Sequence, residues 1–431
     1  MKHELITLFT GAGGLDWGFH KDNNYDLILS NEILEPHLKT CTQNNDISLI
    51  SLDNYDKQRN VGVCGDIHNL NIDQKSDIVI GGPPCQDFSV LRGKDKRNGV
   101  LVKRGKLYQQ FLRIIKKTNP KVFVFENVPG MKSANKGSAY EIIQKDFQKE
   151  GYTLVYNDIL NACEIGAPQS RKRLIIIGVK NEYIDDIFKL NVIIDKYMNN
   201  KYLKQYPLTP LETFEGKTLE FLQHEYENIM KDYKDSTKNI KNKTAEKWEI
   251  EYSNLSFDIV KDYHSLNNIK DVNLKVFKKA MEEHEKILKI LGYFSNPICD
   301  VTPDDNSNSL PKSNKKIKER MHHIPPSYNF KIVEDTEWAV KGMMSNIYRR
   351  LHPLKASPTI IAYGGGGTGG YHYEYNRQGL TNRERARLQT FPDDYLFNGT
   401  STEIRAQIGE AVPPILSYNI AQTVNNILTT I

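Results

Sequence analysis

The stretch "DIVIGGPPCQDFS" (77–89) places one cysteine, Cys85, directly after a Gly-Gly-Pro-Pro turn. A cysteine attacks as its thiolate, and nearby cations favour that form. Residues 91–106 carry seven Lys and Arg against one Asp. Glu126 closes a second apolar run, "VFVFENVPG", so a carboxyl and a thiol could share one rim. A lone cysteine at a strand end is more often a small buried hydrophobe. The rigid turn and the cationic loop weigh against that reading here.

A third constellation sits near the start of the chain. "LITLFTGAGGLDWGF" (5–19) reads as a strand, a glycine turn and a helix start. Gly11 and Gly13 begin a dinucleotide-type G-x-G-x-x-G pattern, but Asp16 stands at its third glycine position. A carboxylate facing a pyrophosphate is unfavourable, which counts against a nicotinamide dehydrogenase. Glu32 follows the next apolar run, where an acid can accept from both ribose hydroxyls. Asp66, in "VCGDI", ends a third run, where it could accept from an adenine amino group. Three such strand ends describe a pocket for an adenosine without a pyrophosphate, and S-adenosyl-L-methionine is such a ligand.

These residues need a scaffold with its strand ends on one edge. Apolar runs at 4–9, 26–30, 61–64, 77–80, 121–125, 153–156 and 173–179 are expected strands. Several are continuously apolar, as strands covered on both faces should be. Helical spacing at 107–117 and 140–149 alternates with them. The fold class expected is α/β, a doubly wound and mostly parallel sheet. After residue 185 Lys, Asn, Asp and Tyr dominate; 234–247 and 304–320 read as solvated loops around one clear helix at 273–291. Order returns at Thr381-x-x-Glu384, a capping box before a helix, and the chain closes with a turn and a final helix. The expected division is a catalytic and cofactor domain (1–185), a smaller irregular insertion (186–376), a linking motif helix (377–404) and a C-terminal return (405–431).

Composition bounds the remaining classes. With 431 residues, 39% hydrophobic and 26% charged, the chain is long enough for more than one domain. No run of eighteen apolar residues appears, so no membrane span is expected. The five cysteines form no CxxC pair, so neither a disulfide framework nor a metal site is expected. A reducing, cytoplasmic setting fits that usage. The net charge of +5 says little by itself about nucleic acid.

"LFTGAGG", "GGPPCQDFS", "ENV", "QSRKR" (169–173), "LTNRERARLQTFPDDY" and "GEAVPP" together resemble the C5-cytosine DNA methyltransferase family, in that family's order. The resemblance implies the S-adenosyl-L-methionine-dependent methyltransferase fold, with the insertion as a target-recognition domain. It implies attack on cytosine C6 by Cys85, with Glu126 at the N3 edge, held protonated or sharing a proton. Arg173 is implied at the cytosine and its phosphate, with Arg171 in support or in a structural salt bridge. The two arginines start a strand and are expected on opposite faces. Cofactor contacts are implied for Phe9, Gly11, Gly13, Gly14, Glu32, Ile33, Asp66, Ile67, Gly82, Pro84, Leu107, Glu410 and Ala411. Glu410 stands where the family usually has asparagine. Target-strand contacts are implied for Gln86, Ser89 and Thr359; Arg92 and Lys94 belong to a loop expected to close on the backbone. Arg349 and Arg350, with Gly365 and Gly366 of a glycine run, are the candidates for reading or approaching DNA. The partners implied are double-stranded DNA and a separately acting restriction endonuclease, and the product S-adenosyl-L-homocysteine. One subunit carries all the parts, so a monomer is expected. A tRNA substrate, or a DNA-binding member without catalysis, are the alternatives.

Overall fold

We describe the chain from a computed structural model. It describes residues 2–84, 107–340, 346–362, 368, 370–377 and 379–431. The chain divides into two compact units, one of residues 1–165, 171–200 and 411–431, the other of 166–170 and 201–410.

The first unit is built on an eight-stranded sheet. Its strands are β1 (His3–Leu8), β2 (Tyr25–Glu32), β3 (Ser48–Ser51), β4 (Val61–Cys64), β5 (Ile78–Gly81), β6 (Val122–Asn127), β7 (Tyr152–Asn161) and β8 (Lys172–Lys180). Their order is β3-β4-β2-β1-β5-β6-β8-β7. All neighbours run parallel except β6–β8 and β7–β8. The chain builds outward from β1 on one side and then returns to build from β5 on the other. The gap between the ends of β1 and β5 is therefore the topological switch point, where ligands of open α/β sheets bind.

Period-two alternation explains why both faces are covered. On β6, Phe123 and Phe125 enter one core with Phe111 and Phe147, while Val122 and Val124 enter the other with Phe19 and Leu416. Helices α1 (Gly14–Asp22), α2 (Glu35–Asn44), α3 (Leu107–Thr118) and α4 (Ser138–Lys149) connect the strands. Phe111, Phe123, Phe125 and Phe147 form one aromatic cluster, with centroids 4.3–6.2 Å apart. Such pairs add to the ordinary burial of the rings. The C-terminal helix Pro414–Leu428 packs on α1, and Tyr25 Oη donates to Ala421 O at 2.5 Å.

The second unit is richer in helix than its polar composition suggests. Segments expected as loops turn helical at Lys243–Ser253 and Lys315–His322, where Asn242 and Asn314 cap the first turns. Side-chain caps satisfy amide donors that an exposed first turn leaves open, so dense asparagine here marks helix starts. Thr381 and Glu384 form the expected capping box of Asn382–Leu388. Arg383 and Arg387 of that helix are buried, ion-paired with Asp305 and Asp393. Among the described residues, no helix is long and apolar enough to cross a membrane.

A wholly buried ion pair braces this unit. His284 Nδ1 meets Glu212 Oε1 at 2.8 Å and Nε2 meets Tyr206 O at 2.9 Å. Both partners are acceptors, so both ring nitrogens donate and the imidazole is charged. Burial lowers its pKa, but the Glu212 carboxylate and the Tyr206 carbonyl raise it more, and the net is upward from 6.5. A raised folded pKa gives stability that is full below the unfolded value and is lost as pH rises through the folded one. Urea unfolding between pH 6 and 9 is therefore expected to show stability falling with pH, and His284→Gln to flatten that slope. Equal slopes in the two proteins would contradict the assignment.

Candidate active site

The carboxyl edge of the sheet carries the chemistry. β1 ends in Leu8 and the chain then turns through Phe9 (φ 55°), Gly11 (φ 55°) and Gly13 (φ 81°) into α1. Glu32, at the end of the adjacent β2, accepts from Gly11 N at 3.0 Å through one carboxylate oxygen. The other oxygen accepts from Ile33 N at 2.9 Å and Leu34 N at 3.1 Å. These bonds fix the carboxylate beside the glycine turn. A Cβ on Gly11 would meet nothing within 4 Å, so the turn opens onto free space. Ile33 is 61% exposed there, whereas Ile67 is buried. Asp66 caps the short helix Ile67–Asn69, accepting from His68 N at 3.0 Å and pairing with His68 Nδ1 at 2.7 Å. Those bonds to His68 hold its carboxyl below the usual range. The described residues thus fit the adenosine end of a cofactor: an open glycine turn, two fixed carboxylates and an exposed apolar side chain.

Asp16 corrects one part of the sequence argument. It is buried, accepts from Thr10 Oγ1 at 2.5 Å, and burial pushes its carboxyl up. It faces the interior, not a ligand, so it cannot repel a pyrophosphate.

The reacting end lies on β5, β6 and β8. Gly82, Pro83 and Pro84 continue from β5, and Pro84 is exposed. A Cβ on Gly82 would sit 2.6 Å from Glu126 Oε2, so any larger residue here would have to displace this carboxylate. Asn127, which the sequence argument passed over, is buried; its Nδ2 donates to Pro83 O at 3.1 Å and its Oδ1 accepts from Val128 N at 2.8 Å. It ties the Pro-Pro turn to the end of β6. The signal was present as the middle letter of "ENV": a buried amide at a strand end must spend its hydrogen bonds on backbone.

Glu126 is only 9% exposed. Because β8 runs antiparallel to β6, its first residues lie beside β6's last, and Arg173 Nε reaches Glu126 Oε1 at 2.8 Å. Burial pushes the Glu126 carboxyl up; Arg173 and then Arg171 pull it back, and the net is upward. Burial also lowers the Arg173 pKa, against the pull of Glu126. Burial thus moves the Glu126 carboxyl toward its protonated form, and the ion pair with Arg173 opposes that shift without cancelling it. Arg171 is buried and its charge acts on the same carboxyl. The expectation of opposite faces fails because residues two apart on a strand share a face.

Other expected site residues are placed as follows. Gly14 begins α1 and Leu107 begins α3, half-buried against the core. Glu410 is exposed at the end of the helix Ser401–Glu410, and Ala411 follows it half-buried. Thr359 is exposed, and its Oγ1 donates to Ser170 O at 2.9 Å. Gln169 braces the same segment, its Oε1 accepting from Ile360 N at 2.8 Å. Arg349 is half-buried. Cys85, Gln86, Ser89, Arg92, Lys94, Gly365 and Gly366 lie outside the described residues.

Arg350 is a correction. It was a candidate DNA reader, but it is 1% exposed and donates to the carbonyls of Ile324, His372, Glu374, Arg377 and Met321 at 2.6–3.3 Å. A guanidinium buried among five carbonyls holds chain segments together and is not presented to a base. Arg350→Met is expected to cost about 3 kcal/mol or more, because buried carbonyls lose their donors. Urea titration would show it; an unchanged midpoint would count against this placement.

The family model described as C-5 cytosine-specific DNA methylase matches residues 3–426. The chain is 40% identical to the DNA (cytosine-5-)-methyltransferase M.ApeKI of Aeropyrum pernix, covering 99% of each chain. It is 32% identical to the type II methyltransferase M.NgoFVII of Neisseria gonorrhoeae, covering 98% of this chain and 86% of the other. A crystal structure of a prophage-encoded DNA modification methyltransferase (E. coli) has a TM-score of 0.59 at 22% identity, covering 99% of this chain and 100% of that one, which is a likeness of fold. A sheet with its switch point between β1 and β5, a Gly-Pro-Pro turn beside a buried Glu–Arg pair, and matches along nearly the whole sequence agree: the chain belongs to the C-5 cytosine-specific DNA methylase family.

Proposed function

We propose that this protein is a DNA (cytosine-5)-methyltransferase acting on a cytosine flipped out of a specific duplex sequence. The observation that carries the reading is the Glu126–Arg173 pair, buried at 2.8 Å beside the Gly82–Pro84 turn that precedes Cys85 in the sequence. Cytosine C5 is a poor nucleophile. Addition of the Cys85 thiolate to C6 passes an electron pair toward C5 and N3. Glu126, whose carboxyl burial raises, donates to N3 in its protonated form and stabilises that developing charge. Arg173 holds Glu126 in place and meets the cytosine or its phosphate. S-adenosyl-L-methionine supplies an electrophilic methyl group and leaves as S-adenosyl-L-homocysteine. C5 takes the methyl; loss of the C5 proton to a base then returns the electron pair and expels Cys85.

Phe9, Gly11, Gly13, Gly14, Glu32, Ile33, Asp66, Ile67, Gly82, Pro84 and Leu107 are the proposed cofactor contacts, with Glu410 and Ala411 of the last motif. Unstacking the cytosine costs a few kcal/mol, which contacts from Gln86, Ser89 and the cationic loop with Arg92 and Lys94 would offset. Thr359, Arg349 and the glycines 365 and 366 are proposed on the DNA side. The relatives M.NgoFVII and M.ApeKI motivate a place in a restriction–modification pair, with the chain acting as a cytoplasmic monomer beside a separate endonuclease. Bisulfite sequencing of DNA from cells expressing the protein tests the methylating activity and its sequence specificity. The reading expects protected cytosines within one recurring sequence. Complete conversion of every cytosine, with folded protein present, would sink it.

A further inference from the structure

We propose that the cavity lined by Lys201, Tyr202, Gln205, Lys275, Val276 and Lys279, in the second unit, is a seat for DNA backbone phosphate. The proposal rests on the DNA-methylating function above and adds a contact site to it, on a surface that none of the family motifs reaches.

The cavity has a volume of about 320 Å³. Lys275 and Lys279 come from one exposed face of the helix Leu274–Ile290, one turn apart, so their ammonium groups share a side. Lys201 enters from the short helix Lys201–Gln205 packed against it. The ring of Tyr202 gathers two of the three: Lys201 Nζ lies 5.3 Å and Lys279 Nζ 5.7 Å from its centroid. An aromatic face attracts cations, and this one ring engages two of them.

The contrast within the same helix is informative. Lys286 pairs with Glu283 at 2.7 Å, and Lys289 pairs with Glu285. Among the described residues Lys201, Lys275 and Lys279 make no ion pair. Three like charges converging without a counter-charge are destabilising to the free protein, and a polyanion relieves this. The lining combines an aromatic ring, Val276 and lysine stems under a cationic rim. That suits a sugar–phosphate strand, whose anionic oxygens can meet the ammoniums while the sugar rests on the apolar floor. Lysine binds phosphate as a point charge without reading sequence. The site would therefore add affinity, not specificity.

The test compares the full-length protein with Lys275→Gln/Lys279→Gln. Both side chains are exposed, and glutamine keeps the helix. Affinity for a duplex extending well beyond the methylated site is measured from about 0.05 to 0.2 M salt. Each neutralised phosphate contributes about 0.9 to the slope of log affinity against log salt. The double variant is expected to lower that slope by about 1.8, so over this fourfold salt range its affinity falls about twelvefold less. Its kcat at saturating DNA should equal that of the unmutated protein. A second arm titrates inorganic phosphate and follows it by phosphorus NMR. Identical slopes for the two proteins would overturn the proposal, as would phosphate binding lost in the variant while the DNA slope is unchanged. If the unmutated protein neither binds nor methylates duplex DNA, the functional reading fails instead.

Discussion

Cys85→Ser is expected to lose methyl transfer by about 10⁴-fold or more, the scale seen when a covalent catalyst loses its nucleophile. The serine hydroxyl is almost wholly protonated near neutral pH and makes a far weaker attack on C6. No side chain at the described edge replaces it: Glu126 is tied to Arg173 and Asn127 to Pro83. Duplex affinity should persist, because the phosphate contacts that dominate it come from other residues. Filter binding alongside methyl-group incorporation separates the two effects. Retained methylation in the serine variant would make Cys85 a packing residue and remove the covalent route.

Glu126→Gln should lower kcat by about 10²–10⁴-fold, the usual range for a positioned proton donor, and leave DNA affinity nearly intact. Glutamine can still donate to N3, but it cannot deliver a proton. Glu126→Ala is a less clean variant. It leaves the buried Arg173 guanidinium without its partner, at a cost of about 3–5 kcal/mol in stability. The pH profile adds a second readout. The Glu126 carboxyl is raised by burial, against Arg173 and Arg171, so its protonated fraction falls as pH increases. The Cys85 thiolate fraction changes the other way. A bell-shaped kcat/KM is expected, whose two apparent pKa values belong to the site as a whole. In Glu126→Gln the fall at the alkaline side should disappear. A variant with an unchanged profile would assign that limb to another group.

The sheet was legible because its chemistry is local. "VFVF" and "LIIIGV" must be covered on both faces, and only a sheet between two helical layers does that. β3 (Ser48–Ser51) escaped because it is an edge strand, mostly exposed, with no apolar run. The capping box at Thr381–Glu384 was readable, whereas the asparagine caps at 242 and 314 were hidden in polar surroundings that resemble loops. At the site, residue types and their order marked Cys85 and Glu126 as the candidates. Partnerships set by distant segments could not be read. Arg350 looks like a DNA-facing arginine in "YRRLH" until five carbonyls from two segments, 321–324 and 372–377, meet it. Asp16 looks like a ligand-facing acid until Thr10 turns it inward. Asn127 needed the Pro83 carbonyl to show its purpose.

The proposed covalent Cys85–C6 bond is open to trapping. A fluorine at C5 cannot leave as a proton does, so elimination of the cysteine stops once the methyl group has been added. The measurement is mass spectrometry of the protein after incubation with S-adenosyl-L-methionine and a duplex carrying 5-fluorocytosine at every cytosine. A denaturation-stable adduct mapping to the Cys85 peptide, absent without S-adenosyl-L-methionine and absent in Cys85→Ser, is the predicted result. No adduct, from a preparation that methylates the unfluorinated duplex, would contradict the mechanism.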